Sequence, residues 1–170
     1  MGLLKSVRGI TPIIDPGAFI AETAVIIGDV RIAPDASVWY HAVLRGDVGP
    51  IRVGARSNIQ DLTMAHCTHN YSETIIGEDV TVGHRAILHG CTIEDGSLIG
   101  MGAIIMDRAV VGRNTVVAAG AVVLENAVLE GGHLYAGIPA KQIKPLSSQQ
   151  LEALKAGADH YVQYKKWYEA

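Results

Sequence analysis

The chain has 170 residues, a formal net charge of −3 and 49% hydrophobic residues. That length suits one domain with a sizeable core, and a near-neutral balance without a basic cluster argues against nucleic acid as the main partner. It carries no 18-residue apolar run and no charged-then-apolar leader, so a cytoplasmic protein with no membrane partner is expected.

Residues 1–19 precede the repeats and are expected to cap the first coil, because a solenoid end must be covered. From Ile20 a branched aliphatic residue recurs at every sixth position, through Ile26, Ile32, Val38 and Leu44. A compact residue follows each by four: Ala24, Val30, Ala36, Ala42 and Val48. The register slips at Pro50-Ile51, resumes at Ile59 with Thr63, and continues at Ile76, Val82 and Leu88 with Val80, Ala86 and Thr92. After a one-residue deletion it runs through Ile93, Ile99, Ile105, Val111, Val117 and Val123. This period predicts an all-β fold, a parallel β-helix over residues 20–134, with three hexamers closing a triangular coil of about 18 residues. Aliphatic layers leave little room for aromatic rings, which agrees with a single Phe in the chain. The 3.6-residue period of an amphipathic helix bundle is absent from these stretches.

Beyond Leu129 the repeats stop, and Pro139 and Pro145 punctuate a connecting segment over residues 135–146 that reads as irregular. Ser147 then caps a helix over residues 147–170, with Gln150 completing a capping box. Leu151, Leu154, Ala158, Tyr161, Val162, Lys165 and Tyr168 form the stripe expected to pack on a flank of the β-helix. The two cysteines, Cys67 and Cys91, form no framework or CxxC motif and read as reduced structural thiols.

Three histidines gain meaning from the repeat. His66 and His89 each follow an inward residue, Ala65 and Leu88, so both leave the same wall in the same direction. His84 sits one position further on in its hexamer, on an adjacent corner, poorly aimed at the other two within one subunit. A threefold association would bring His84 of one chain to His66 and His89 of the next. Three neutral imidazoles plus a water make the open tetrahedral arrangement of catalytic zinc. The plainer alternative, polar surface histidines in turns, is not excluded by spacing alone. His41, His69, His133 and His160 lack partners in phase and read as surface or structural residues.

Leu44-Arg45-Gly46-Asp47, Asn58-Ile59-Gln60-Asp61, His66, Gly83-His84, Leu88-His89-Gly90-Cys91 and Leu98-Ile99-Gly100-Met101-Gly102-Ala103 together resemble the γ-class carbonic anhydrase family, from about residue 11 to residue 145. The resemblance implies a left-handed β-helix, a homotrimer, and a metal held between subunits by His66, His84 and His89. Zinc is the implied ion, with Fe2+ and Co2+ also suited to imidazole ligands. It implies that Arg45 and Asp47 lie near the subunit interface, where an Arg–carboxylate fork can lock adjacent subunits, that Asp61 partners Arg45 across it, that Gln60 hydrogen-bonds the metal-bound water or bicarbonate, and that Tyr161 approaches the site. The implied reaction is reversible hydration of CO2 to bicarbonate by a zinc-bound hydroxide. The chain departs from the founding pattern at Val48, where an acid would follow Asp47, and in a short loop after His66 whose titratable residues are His69 and Glu73. Gly137-Ile138-Pro139-Ala140-Lys141 also resembles the ending of hexapeptide acyltransferases. A metal-dependent acyl-CoA thioesterase or acyltransferase is therefore one alternative, and a non-catalytic trimeric assembly subunit another.

Overall fold

In the computed structural model, which describes residues 2–168, the chain winds into a parallel β-solenoid of about seven coils followed by one helix. This is the left-handed β-helix of hexapeptide repeats. Its strands form a 12-stranded and an 8-stranded sheet, which make the three walls of a prism. Two walls belong to one sheet because the long strands Val25–Ile32 and Val43–Val53 run round a corner without ending. Gly28 makes that corner possible, with φ at +71° and no room for a Cβ, which would stand 2.3 Å from the Gly46 carbonyl oxygen.

Each wall buries one column of stacked side chains. Leu44, Ala65, Leu88, Ile105 and Val123 lie in register through successive strands and are all 1% exposed or less. Ile76, Ile93, Val111 and Leu129 make the second column. Val38, Ile59, Val82, Ile99, Val117 and Tyr135 make the third, so one aromatic ring does enter the core, at its end. One expected position is corrected. Cys91, not Thr92, fills the compact inward place beside the deletion, because the coil is one residue shorter there.

Both ends are built from strands. The N-terminal segment covers the first coil by extending the walls: Leu3–Lys5 and Ile13–Ile14 pair in parallel with Val25–Ile32. The connecting segment is not irregular, since Lys141–Pro145 runs antiparallel to His133–Ala136 and ends the 8-stranded sheet. Backbone groups left open at the end of that one wall are satisfied by the reversal.

The helix spans Ser148–Tyr164, and Ser147 and Gln150 form the full capping box. Leu154 and Ala158 are buried in its contact with the solenoid, whereas Leu151 is 38% exposed and does not belong to the buried stripe. A short 3-10 turn, Lys165–Tyr168, extends it. Lys165 is 4% exposed, and its ammonium donates to the Gly17 carbonyl and to Asp35. Arg56 ties the helix by pairing with Asp159 and, at 2.7 Å, with Asp79. Among the described residues no helix is long and apolar enough to cross a membrane.

Leu88→Ala should lower stability by about 3 kcal/mol, as expected for emptying a fully packed leucine site, read from the shift of the urea midpoint. Helix docking should respond to acid. The Lys165 hydrogen bond holds the Asp35 carboxyl below its ordinary range. A depressed carboxylate stabilises above its unfolded pKa and loses that contribution as pH falls through the folded value. Docking should therefore be constant near neutrality and weaken below about pH 4, measured by fluorescence of Trp39, which packs against Tyr161 and Tyr168. Lys165→Met should remove this acid dependence.

Candidate metal centre

Two corners of the prism carry the expected site residues. At the end of one wall the strands Met64–His66 and Ile87–His89 pair in register, so His66 and His89 are neighbours on adjacent coils. Asp47 lies on the bend of Val43–Val53 beside them. At the wall's other end, His84 follows Thr81–Val82, next to Gln60 and Asp61, which follow Asn58–Ile59. His84 therefore does not join the other two, and among the described residues no three His, Cys, Asp or Glu of one chain are grouped to hold a metal.

The imidazoles share one feature: each has a carboxylate on a ring nitrogen. His66 Nε2 donates to Asp47 Oδ1 at 3.0 Å. His89 Nδ1 donates to Asp107 Oδ2 at 2.9 Å. His84 Nδ1 stands 2.8 Å from Asp61 Oδ2. A neutral imidazole has one N–H, so giving it to a carboxylate leaves the other nitrogen with a bare lone pair. Metal-ligating histidines are held in this way. The bare nitrogens of His66 and His89, Nδ1 and Nε2, face each other at 3.3 Å. Two lone pairs at that distance repel unless a proton or cation lies between them. Two nitrogens on one tetrahedral zinc, each at about 2.05 Å, stand about 3.3 Å apart, so the pair fits two ligand positions.

Two of these carboxylates, Asp47 and Asp107, are held ionised. Burial raises the Asp47 carboxyl, but hydrogen bonds from Arg45 and His66 outweigh it and leave it below the ordinary range. Asp107 follows the same balance, with Ser72 and His89 as donors. Arg45 Nη1 donates to Asp47 Oδ2 at 2.6 Å within the chain. Of the expected Arg45–Asp61 link, the single chain holds neither end free: Asp61 faces His84.

Gln60 is 7% exposed, and its Nε2 donates to Asn58 Oδ1 at 3.1 Å. Asn58 Nδ2 in turn donates to Thr81 Oγ1 at 2.9 Å, so the Gln60 amide is fixed in direction. Gln60 and His84 both line an apolar groove of about 350 Å3, together with Leu98, Met101, Val116 and Leu134. Tyr161 packs edge-on against Trp39, with ring centroids 5.5 Å apart, and lines a cleft with Asp61, Tyr40 and Tyr168. Burial, then the charge of Asp61 and the neighbouring Tyr164, raises the Tyr161 phenol, so it remains a hydrogen-bond donor.

His69 and Glu73 are exposed on the short loop after His66. Asp107 is the site residue that motif matching missed. A signal existed: it follows His89 by 18 positions, one coil on. Cys67, though next to His66, turns inward and contacts Thr74 Oγ1 at 3.6 Å, so it takes no part in the centre.

Residues 90–125 match the family described as bacterial transferase hexapeptide (six repeats). Protein YrdA of Escherichia coli is 49% identical, over 98% of this chain and 94% of that protein. Carbonic anhydrase of Geobacillus kaustophilus is 43% identical, over 96% of this chain and 89% of that protein. Gamma carbonic anhydrase 2, mitochondrial, of Arabidopsis thaliana is 42% identical, over 94% of this chain and 59% of that longer protein. The crystal structure of a hexapeptide transferase family protein from Anaplasma phagocytophilum superposes with a TM-score of 0.93 at 41% identity, over 98% of both chains.

Burial raises the Cys67 thiol and pushes that of Cys91 up to about 12. Since the thiolate is the reactive form, neither should react with a thiol reagent at pH 8 in the folded protein. Two thiols per chain should titrate in guanidinium chloride.

Proposed function

The chain belongs to the γ-carbonic-anhydrase-like family of hexapeptide-repeat proteins, and from that premise we propose that it is a metal-dependent carbonic anhydrase acting as a homotrimer. The observation that carries this reading is the carboxylate on each of three imidazoles, with two bare nitrogens at ligand spacing. His66 and His89 of one subunit and His84 of the next would hold the ion. Zinc is the ion we assign, and Fe2+ and Co2+ suit the same donors. When bound, such an ion supplies hydroxide at neutral pH by lowering the pKa of a coordinated water to about 7.

The protein's own groups do the rest. Asp47, Asp61 and Asp107 orient the three rings. Gln60, its amide pinned through Asn58, presents Oε1 to accept from the O–H of bicarbonate or of the attacking water. Asp61 holds His84 on one side and faces the Tyr161 cleft on the other, so the phenol can donate to an oxygen of the product. Arg45 balances the Asp47 charge and keeps that carboxylate on His66. No acid follows Asp47, since Val48 stands there. The proton from water leaves through His69 or Glu73 on the exposed loop, and a slow exit would limit turnover.

The apolar groove beside His84 favours a second reading, a metal-dependent thioesterase whose acyl chain would lie along Leu98, Met101 and Val116.

Stopped-flow CO2 hydration on zinc- and iron-loaded protein of assayed metal content, the iron kept anaerobic, separates these readings. Activity should track metal, and His84→Ala should retain less than a tenth of it while remaining folded. A full metal complement in His84→Ala would sink the intersubunit site. Fully loaded protein that releases thiol from acyl-CoA but does not hydrate CO2 would establish the thioesterase. Neither activity would leave a non-catalytic assembly subunit.

A further inference from the structure

The geometry points to Asp107 as a positioning residue that sets which nitrogen of His89 faces the metal and ties the loop of residues 67–73 to the same ring. This inference rests on the metal-site reading above. Asp107 follows the strand Ile104–Ile105, one coil beyond His89. Its two oxygens accept three hydrogen bonds. Oδ2 takes His89 Nδ1–H at 2.9 Å and the Thr68 hydroxyl at 3.2 Å, and Oδ1 takes the Ser72 hydroxyl. Ser72 Oγ in turn accepts from the Thr68 backbone N–H at 3.0 Å. Every partner is a donor, and only a carboxylate can accept from all of them.

The surroundings are shaped for this contact. Gly90, directly after His89, has φ at +62°, and a Cβ there would stand 2.1 Å from Ser72 Oγ and 2.2 Å from Asp107 Oδ1. A side chain at 90 would therefore displace one of them. Arg108, next to Asp107, lies over the Tyr71 ring at 5.1 Å, and the Tyr71 hydroxyl donates to Glu125. The loop is thus clamped over the carboxylate from its outer side. With Asp107 accepting from Nδ1, the tautomer of His89 leaves Nε2 bare, and Nε2 is the atom 3.3 Å from His66 Nδ1. Asn at 107 has one acceptor oxygen. Its amide would either donate to His89 Nδ1, moving the ring proton to Nε2 where it blocks ligation, or release the loop hydroxyls. The corresponding Asp-to-Asn change in a serine-protease triad acts through the wrong tautomer in the same way.

The test reads the tautomer and zinc affinity separately. Protein labelled with 15N in its histidine rings, metal-free and mildly alkaline, should show His89 carrying its proton on Nδ1, assigned with His89→Gln. Asp107→Asn should shift that proton to Nε2 and weaken zinc binding about ten- to hundredfold, measured by competition with a chromogenic chelator. Asp107→Glu, which keeps the carboxylate, should retain the Nδ1–H form. Ser72→Ala removes one hydroxyl from Asp107 Oδ1 and leaves Oδ2 on His89, so it should increase proteolysis within residues 67–73, keep the Nδ1–H form and cost several-fold less zinc affinity than Asp107→Asn. An Nε2–H tautomer in the wild type overturns the inference, as does Asp107→Asn with unchanged zinc affinity. Equal zinc losses in Asp107→Asn and Ser72→Ala would reduce Asp107 to a loop anchor and overturn it too. If the wild type takes up no zinc, the metal reading fails by itself, while the wild-type tautomer still decides the role of Asp107.

Discussion

Everything in this protein depends on the inward stack. Ile, Val and Leu side chains of successive coils lie directly on one another, as Leu44, Ala65, Leu88, Ile105 and Val123 do, and that contact sets the phase of every residue between them. A slip of one position would turn a buried column outward, at about 1.5–3 kcal/mol for each large side chain exposed. The outward residues inherit this rigidity. His66 and His89 are neighbours because Ala65 and Leu88 are neighbours, and their rings need no further device to meet.

On that scaffold the site is organised by carboxylates. Three imidazoles each meet an aspartate, and two of those aspartates are held ionised by further donors, Arg45 for Asp47 and Ser72 for Asp107. The pairs lie on two corners at opposite ends of one wall, two histidines at one corner and one at the other. In the homotrimer we propose, each corner would meet the other kind on a neighbouring copy. The helix adds a separate function. Lys165 and Arg56 dock it by ion pairs, and the docking carries Tyr161 to the cleft beside Asp61.

The hexamer period, the wall shared by His66 and His89, the different corner of His84, and the capping box at Ser147 and Gln150 were all legible in the sequence, because each follows from local spacing. Motif resemblance supplied Gln60, Asp61, Arg45 and Asp47, and the structure places each beside a histidine or its carboxylate. It did not supply Asp107, which belongs to no motif next to the histidines and reaches His89 only after a full coil. Thr92 was misplaced for a related reason. A single-residue deletion at the corner moves Cys91 into the core, and periodicity cannot say on which side of a turn a deletion is absorbed.

The sequence by itself determined the solenoid and the direction of its side chains, since a six-residue period of branched aliphatic residues has few other ways to bury them. Only the tertiary structure decided how those side chains are paired. Arg45 turns to Asp47, Asp61 to His84 and Asp107 to His89 because the rise between coils, the corner at Gly28 and the space left by Gly90 bring those atoms within hydrogen-bond reach. The contacts of Asp61 with His84 and of Asp107 with His89 join residues 18 or more positions apart, and their lengths depend on coil register to a few tenths of an ångström, which spacing along the chain does not encode.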